Sequence, residues 1–126
     1  MTNLEKIDAM LEDLRNDLEK VSVSVIKTVS PSSFMFDRIS ERVMIHSVIQ
    51  NLLIIKEKVT SGKSTLEEES DSFIADIVRL SFRNFGTTKS DHQVLEDKIM
   101  KETFRLIRQF ASSEMKDFMI KFRTND

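Results

Sequence analysis

The chain has 126 residues, 40% of them apolar and 32% charged, with a net charge of −2. That balance excludes wholesale disorder and makes one domain the default. It also gives no global field toward nucleic acid or membrane, so any such binding needs a local patch. With no cysteine there are no disulfides or thiolate metal sites, and two histidines, His46 and His92, argue against a histidine-rich metal centre. Two glycines and one proline leave few places for tight turns and favour long helices over a β-rich fold.

Thr2 and Glu5 have capping-box spacing and open helix 1. Leu4, Ile7, Leu11, Leu14, Leu18, Val21 and Val25 then recur at alternating spacings of 3 and 4. This heptad seam places one apolar side chain on the same stripe every ~3.5 residues. It suits a helix laid lengthwise on another helix, in its own bundle or in a partner. The stretch VSVSVIKTV alternates like a strand, but Val21 and Val25 continue the seam, so the helix is expected over about 3–28.

Ser30-Pro31-Ser32-Ser33 is a sharp break, with Pro31 fitted to the first helical position. Helix 2 is expected over about 31–60. From Val43 to Ile55 it is apolar on almost every side, which predicts a central element enclosed by neighbours. Those 13 residues are too few to span a bilayer. The N-terminus is charged from Glu5 and has no secretory apolar region, so a cytoplasmic location is expected.

Gly62 is a helix stop, and Ser64 with Glu67 forms a second capping pair. Helix 3 is expected over about 65–85, with Phe73, Ile74, Ile77, Val78, Phe82 and Phe85 on its buried face and Gly86 ending it. Ser90 and Gln93 form a third pair, and helix 4 is expected over about 91–122. A helix of that length extends roughly 48 Å, more than a compact bundle needs, so its end projects, bends or packs on a second subunit. The expected fold is all-α: a single-domain, four-helix up-down bundle with a long N-terminal heptad helix and a long C-terminal helix.

Four patterns carry possible chemistry. TSGKST at 60–65 resembles the tail of a phosphate-binding loop, but the first glycine of that loop is Glu57 here and a helix precedes it. A polar interhelical loop is the better reading. Arg38, Arg42, His46 and Gln50 share a stripe on helix 2, read as its solvated edge with His46 half-buried and hydrogen-bonded. Lys98, Lys101, Arg105 and Arg108 fall within an arc of about 80° on helix 4, a possible nucleic-acid-binding stripe that Asp97 and Glu102 partly neutralise. The phenylalanines read as core, except Phe118 and Phe122, which with Met119 form an apolar tip at the chain end suited to a partner.

LEKIDAMLEDLRNDLEKV, FDRISERVMIHSVIQNLLIIKEKV and the pair Arg83-Asn84 together resemble the minimal HEPN domains, notably the HepT-like toxins. The resemblance implies a dimerising four-helix bundle and a metal-independent RNase, with Arg83 and Asn84 opening an RNxxxH-type motif. The motif histidine falls at Thr88, and the nearest histidine, His92, has eight residues between it and Arg83. The resemblance therefore implies a degenerate member without RNase activity unless His92 substitutes.

The reading that these features favour is a non-catalytic adaptor, regulator or assembly subunit working by helix–helix contact. Its partner is another protein or a second copy of itself. The partner surface is Leu4, Ile7, Leu11, Leu14, Leu18 and Val21 with Phe118, Met119 and Phe122. No cofactor, metal, membrane or small-molecule substrate is expected. The alternative is an RNA-binding or RNA-cleaving HEPN-like protein using Arg83, Asn84 and His92, with the cationic stripe on phosphate.

Overall fold

The computed structural model describes the backbone of residues 1–27, 33–83 and 90–124, and the side chains of residues 1–24, 37–80 and 90–121. Every element among them is helical. In chain order they are α1 (Asn3–Lys27), α2 (Ser33–Thr60), α3 (Leu66–Arg83), α4 (Asp91–Ile107), a 3-10 turn (Arg108–Phe110) and α5 (Ser113–Thr124). No described helix is long and apolar enough to cross a membrane.

The helix ends are set by local chemistry. Thr2 caps α1, its Oγ1 accepting from the Glu5 N–H at 3.1 Å. Ser90 and Gln93 make a reciprocal capping box at the start of α4. At the end of α2, the Gly62 N–H donates to the Val59 carbonyl and the Lys63 N–H to the Lys58 carbonyl. Those two bonds, with Gly62 at φ +78°, are a Schellman stop, a conformation that glycine adopts without a Cβ penalty. The start of α3 differs from expectation by one residue. Thr65 is the cap, accepting from the Glu68 N–H at 3.1 Å. Ser64 instead donates toward the Glu68 and Glu69 carboxylates. The Ser30-Pro31 break and the Gly86 stop lie outside the described residues.

The core joins α1, α2, the start of α3, and the end of α4 with its 3-10 turn. Ile7, Leu11, Leu14 and Val21 of α1 cluster with Ile45, Val48, Ile49, Leu52 and Ile55 of α2, and with Leu66, Ile107 and Phe110. Burying each such side chain contributes about 1.5–3 kcal/mol, so this cluster dominates the stability. Helix α2 is central, as expected: it contacts α1, α4 and α3. It is not enclosed on all sides, however. Ile39, Val43 and Ile54 are exposed, because no described element covers the side opposite the core.

The largest departure is in helix 4, which is two helices. Helix α4 ends at Ile107, the chain makes a 3-10 turn, and Ala111 adopts an extended conformation. Ser112 then starts α5: its Oγ accepts from the Met115 N–H at 3.1 Å and its carbonyl from the Lys116 N–H. The Ser112 N–H is itself held by the Asp71 carboxylate of α3 at 2.9 Å. This long-range bond satisfies a donor that a continuous helix would have paired internally, and it stabilises the bend.

A candidate docking groove between α3, α4 and α5

The bend turns α5 back beside α3 and α4 and creates an open groove of about 690 Å³. Ile74, Ile77 and Val78 supply the α3 wall, and Phe104 the α4 wall. Phe118, Met119 and Ile120 supply the α5 wall. Phe118 is 45% exposed and Ile120 65% exposed, high values for large apolar side chains. Lys101, Arg108 and Lys116 stand at the groove, with Gln109, and no carboxylate is among its described lining residues.

The cationic stripe of the sequence is real, and it divides. Lys98, Lys101, Arg105 and Arg108 are all exposed. Lys101 and Arg108 line the groove, whereas Lys98 and Arg105 do not. Arg105 is engaged by Glu102 one turn back, through both guanidinium Nε and Nη2. The hydrogen bond and the charge of Glu102 raise the Arg105 pKa further above its ordinary value. Lys98, Lys101, Arg108 and Lys116 have no ion pair among the described residues.

The heptad seam has a different fate from a free contact surface. Ile7 is fully buried and Leu11 is 2% exposed, and Leu14 and Val21 are buried beside them. Leu4 and Leu18 are half-buried, Leu18 against the same cluster. Ile7, Leu11, Leu14 and Val21 pack within the chain, with α2, so these four residues are not available to a partner in the folded monomer. The Asp8 to Lys56 ion pair, at 2.5 Å, ties the outer edge of the same α1–α2 junction.

The apolar tip is placed only in part. Phe118 and Met119 line the groove, and the side chain of Phe122 lies outside the described residues, as do the side chain of Arg83 and the whole of Asn84 and Thr88. His92 is exposed on the first turn of α4, its Nε2 2.9 Å from Glu96 Oε1. It is roughly 120° around the helix from Lys98, off the cationic face. On α2, Arg42, His46 and Gln50 are a solvated edge as expected, but His46 is exposed rather than half-buried. Arg38, at the end of that stripe, pairs with Glu41 at 2.8 Å.

In the TSGKST segment the Gly62 and Lys63 amides donate to the carbonyls of α2, so they are not free to cradle a phosphate. Among the described residues no group of three or more histidines and carboxylates is placed to hold a metal ion. Sequence reasoning found Phe118, Met119, Lys101 and Arg108 separately. It missed that α5 would bring them together, since only the Ser112-Ser113-Glu114 triplet hints at a helix start there. The chain matches no protein-family model, and neither a curated protein nor a solved structure is similar to it.

Proposed function

We propose that this chain is a non-catalytic helical adaptor or assembly subunit that binds a protein partner by packing a helix into the α3–α4–α5 groove. The scaffold is a single domain in which α1 to α4 form an up-down bundle and α5 completes the partner site. One observation carries the reading: an apolar groove of about 690 Å³ with Phe118 and Ile120 on one wall. Exposed apolar surface of this kind is unfavourable in isolation and marks interaction sites. Helix-in-groove recognition uses apolar anchors at i, i+3, i+4 and i+7, which matches a groove walled by helices.

The test uses the full chain and a panel of fluorescein-labelled amphipathic helical peptides of differing flanking charge, with binding followed by anisotropy. Saturable binding is expected for at least one peptide, weakened about tenfold or more when Phe118→Ser and Ile120→Ser remove apolar wall area. Absence of saturable binding across the panel, or binding that ignores the double substitution, would overturn the reading.

The HEPN-like alternative keeps one supporting observation, the exposure of Lys98, Lys101, Arg105 and Arg108. Such a face is what phosphate contact requires. Cleavage of single-stranded RNA by the purified chain, lost on His92→Ala, would favour it over the adaptor.

A further inference from the structure

We infer that the occupant of the groove is an acidic amphipathic helix, one whose apolar stripe is flanked by carboxylates on both sides. The inference rests on the helix-in-groove reading and specifies the partner's chemistry. Three observations support it.

The first is sign. Within a chain of net charge −2, the described charged residues lining the groove are Lys101, Arg108 and Lys116, all cationic. None is neutralised by a described carboxylate. A basic or hydrophobic-only partner would leave these cations beside like charge or beside apolar surface, and an acidic one pairs them.

The second is distribution. Lys101 is on α4 and Arg108 is its C-cap, seven residues on, which is two turns and about 10 Å along the helix axis. Lys116 belongs to the other wall, on α5. A small amphiphile with a single headgroup meets one end of such an arrangement. A helix running beside α4, with carboxylates two turns apart on one flank and another on the opposite flank, meets all three. The third is shape. Apart from the three cations and Gln109, the described lining is apolar, with Phe104 from α4 and Phe118, Met119 and Ile120 from α5, so the partner's central stripe must be apolar.

The experiment compares three labelled peptides of about 14 residues with the same leucine stripe at i, i+3, i+7 and i+10 and with flanks of glutamate, glutamine or lysine. At low ionic strength the glutamate peptide should bind about tenfold tighter than the glutamine peptide, three exposed pairs each giving a factor of about two. Lys101→Gln, Arg108→Gln and Lys116→Gln together should bring the ratio of the glutamate to the glutamine peptide's affinity to about one. All three positions are exposed, so circular dichroism of the triple variant should match the parent. Raising salt to about 0.5 M should also compress the preference, because exposed pairs are screened over a few ångströms.

Glutamine and glutamate peptides binding equally would overturn this inference while leaving the adaptor reading intact. So would a preference that survives the triple substitution. Displacement of the glutamate peptide by a long-chain carboxylate at micromolar concentration would reassign the groove to a small amphiphile and overturn it. A concentration-dependent dimer, abolished by Phe118→Ser, would give the groove to a second copy and overturn it as well. Binding of no peptide at all would remove the adaptor reading and this inference together.

Discussion

Among the described residues, Thr103 carries a buried polar group that joins two helices. It is fully buried on α4. Its Oγ1 donates to the Ile99 carbonyl at 2.9 Å and accepts from Asn51 Nδ2 of α2 at 3.2 Å. Thr103→Val keeps the shape and removes the acceptor, leaving the half-buried Asn51 amide without this partner. We expect a loss of about 1 kcal/mol in urea unfolding. Replacing both partners, Asn51→Leu with Thr103→Val, should recover much of it, because no donor is then stranded. A neutral single variant would show that water satisfies Asn51 and that the bond contributes nothing. The residue scale also shows what a sequence displays. The Thr2–Glu5 and Ser90–Gln93 caps were legible because both partners are three residues apart. The Asn51–Thr103 bond spans 52 positions, and nothing local announces it. Thr65 displaced Ser64 as cap because adjacent hydroxyls compete, and the acidic run drew Ser64 to the side chains of Glu68 and Glu69.

At the scale of elements, the seam of α1 was fully legible as a pattern and its use was not. A 3.5-residue repeat looks the same whether the covering helix is in the chain or in another molecule. Burial decides the matter: Leu11, at 2% exposed, is core. Leu11→Glu should therefore unfold the chain, since an unpaired buried carboxylate costs several kcal/mol, comparable to the stability of a small domain. Loss of helical circular dichroism at 25 °C is the expected readout, and a folded variant would mean that α1 packs elsewhere. The length of helix 4 already made a bend one of its expected outcomes, but where the break between α4 and α5 falls was not legible, for a related reason. The helical apolar pattern runs on through Leu106, Ile107 and Phe110 to Phe118, and the group that stabilises the bend, Asp71, is 41 positions away. Asp71→Ala should cost about 1.5–3 kcal/mol, the range for a hydrogen bond to a charged group. It should also speed amide exchange in α5 more than in α1 or α2. Equal acceleration everywhere would show that the Asp71–Ser112 bond holds the whole core rather than one element. The groove was missed for the same reason as the bend, since its third wall exists only if α5 turns back.

At the scale of the whole molecule, the question is whether the cations on α4 serve phosphate or carboxylate. The chain's net charge is −2, so no long-range field draws a nucleic acid to it. Locally, Lys98, Lys101 and Arg105 of α4 and Arg108 at its C-cap are all exposed, but Glu102 engages Arg105 through its guanidinium fork and Glu96 lies near His92. That leaves Lys98, Lys101 and Arg108, with Lys116 across the groove, as cations without a described ion pair. Three or four phosphate contacts would give a slope of log affinity against log salt of about −2 to −4, at ~0.7–0.9 per contact. Such weak electrostatics, opposed by a net negative chain, predicts no measurable binding to single- or double-stranded oligonucleotides at about 0.1 M salt, where the Debye length is ~10 Å. Anisotropy of labelled oligonucleotides from low to moderate salt checks this. A steep salt slope that falls by about one unit for each of Lys98→Gln, Lys101→Gln and Arg108→Gln would contradict it and favour the RNA-binding alternative. The two readings also separate on Lys116→Gln. This cation is on α5, off the α4 stripe, so its loss should weaken an acidic helix in the groove and leave a phosphate backbone on α4 almost unaffected.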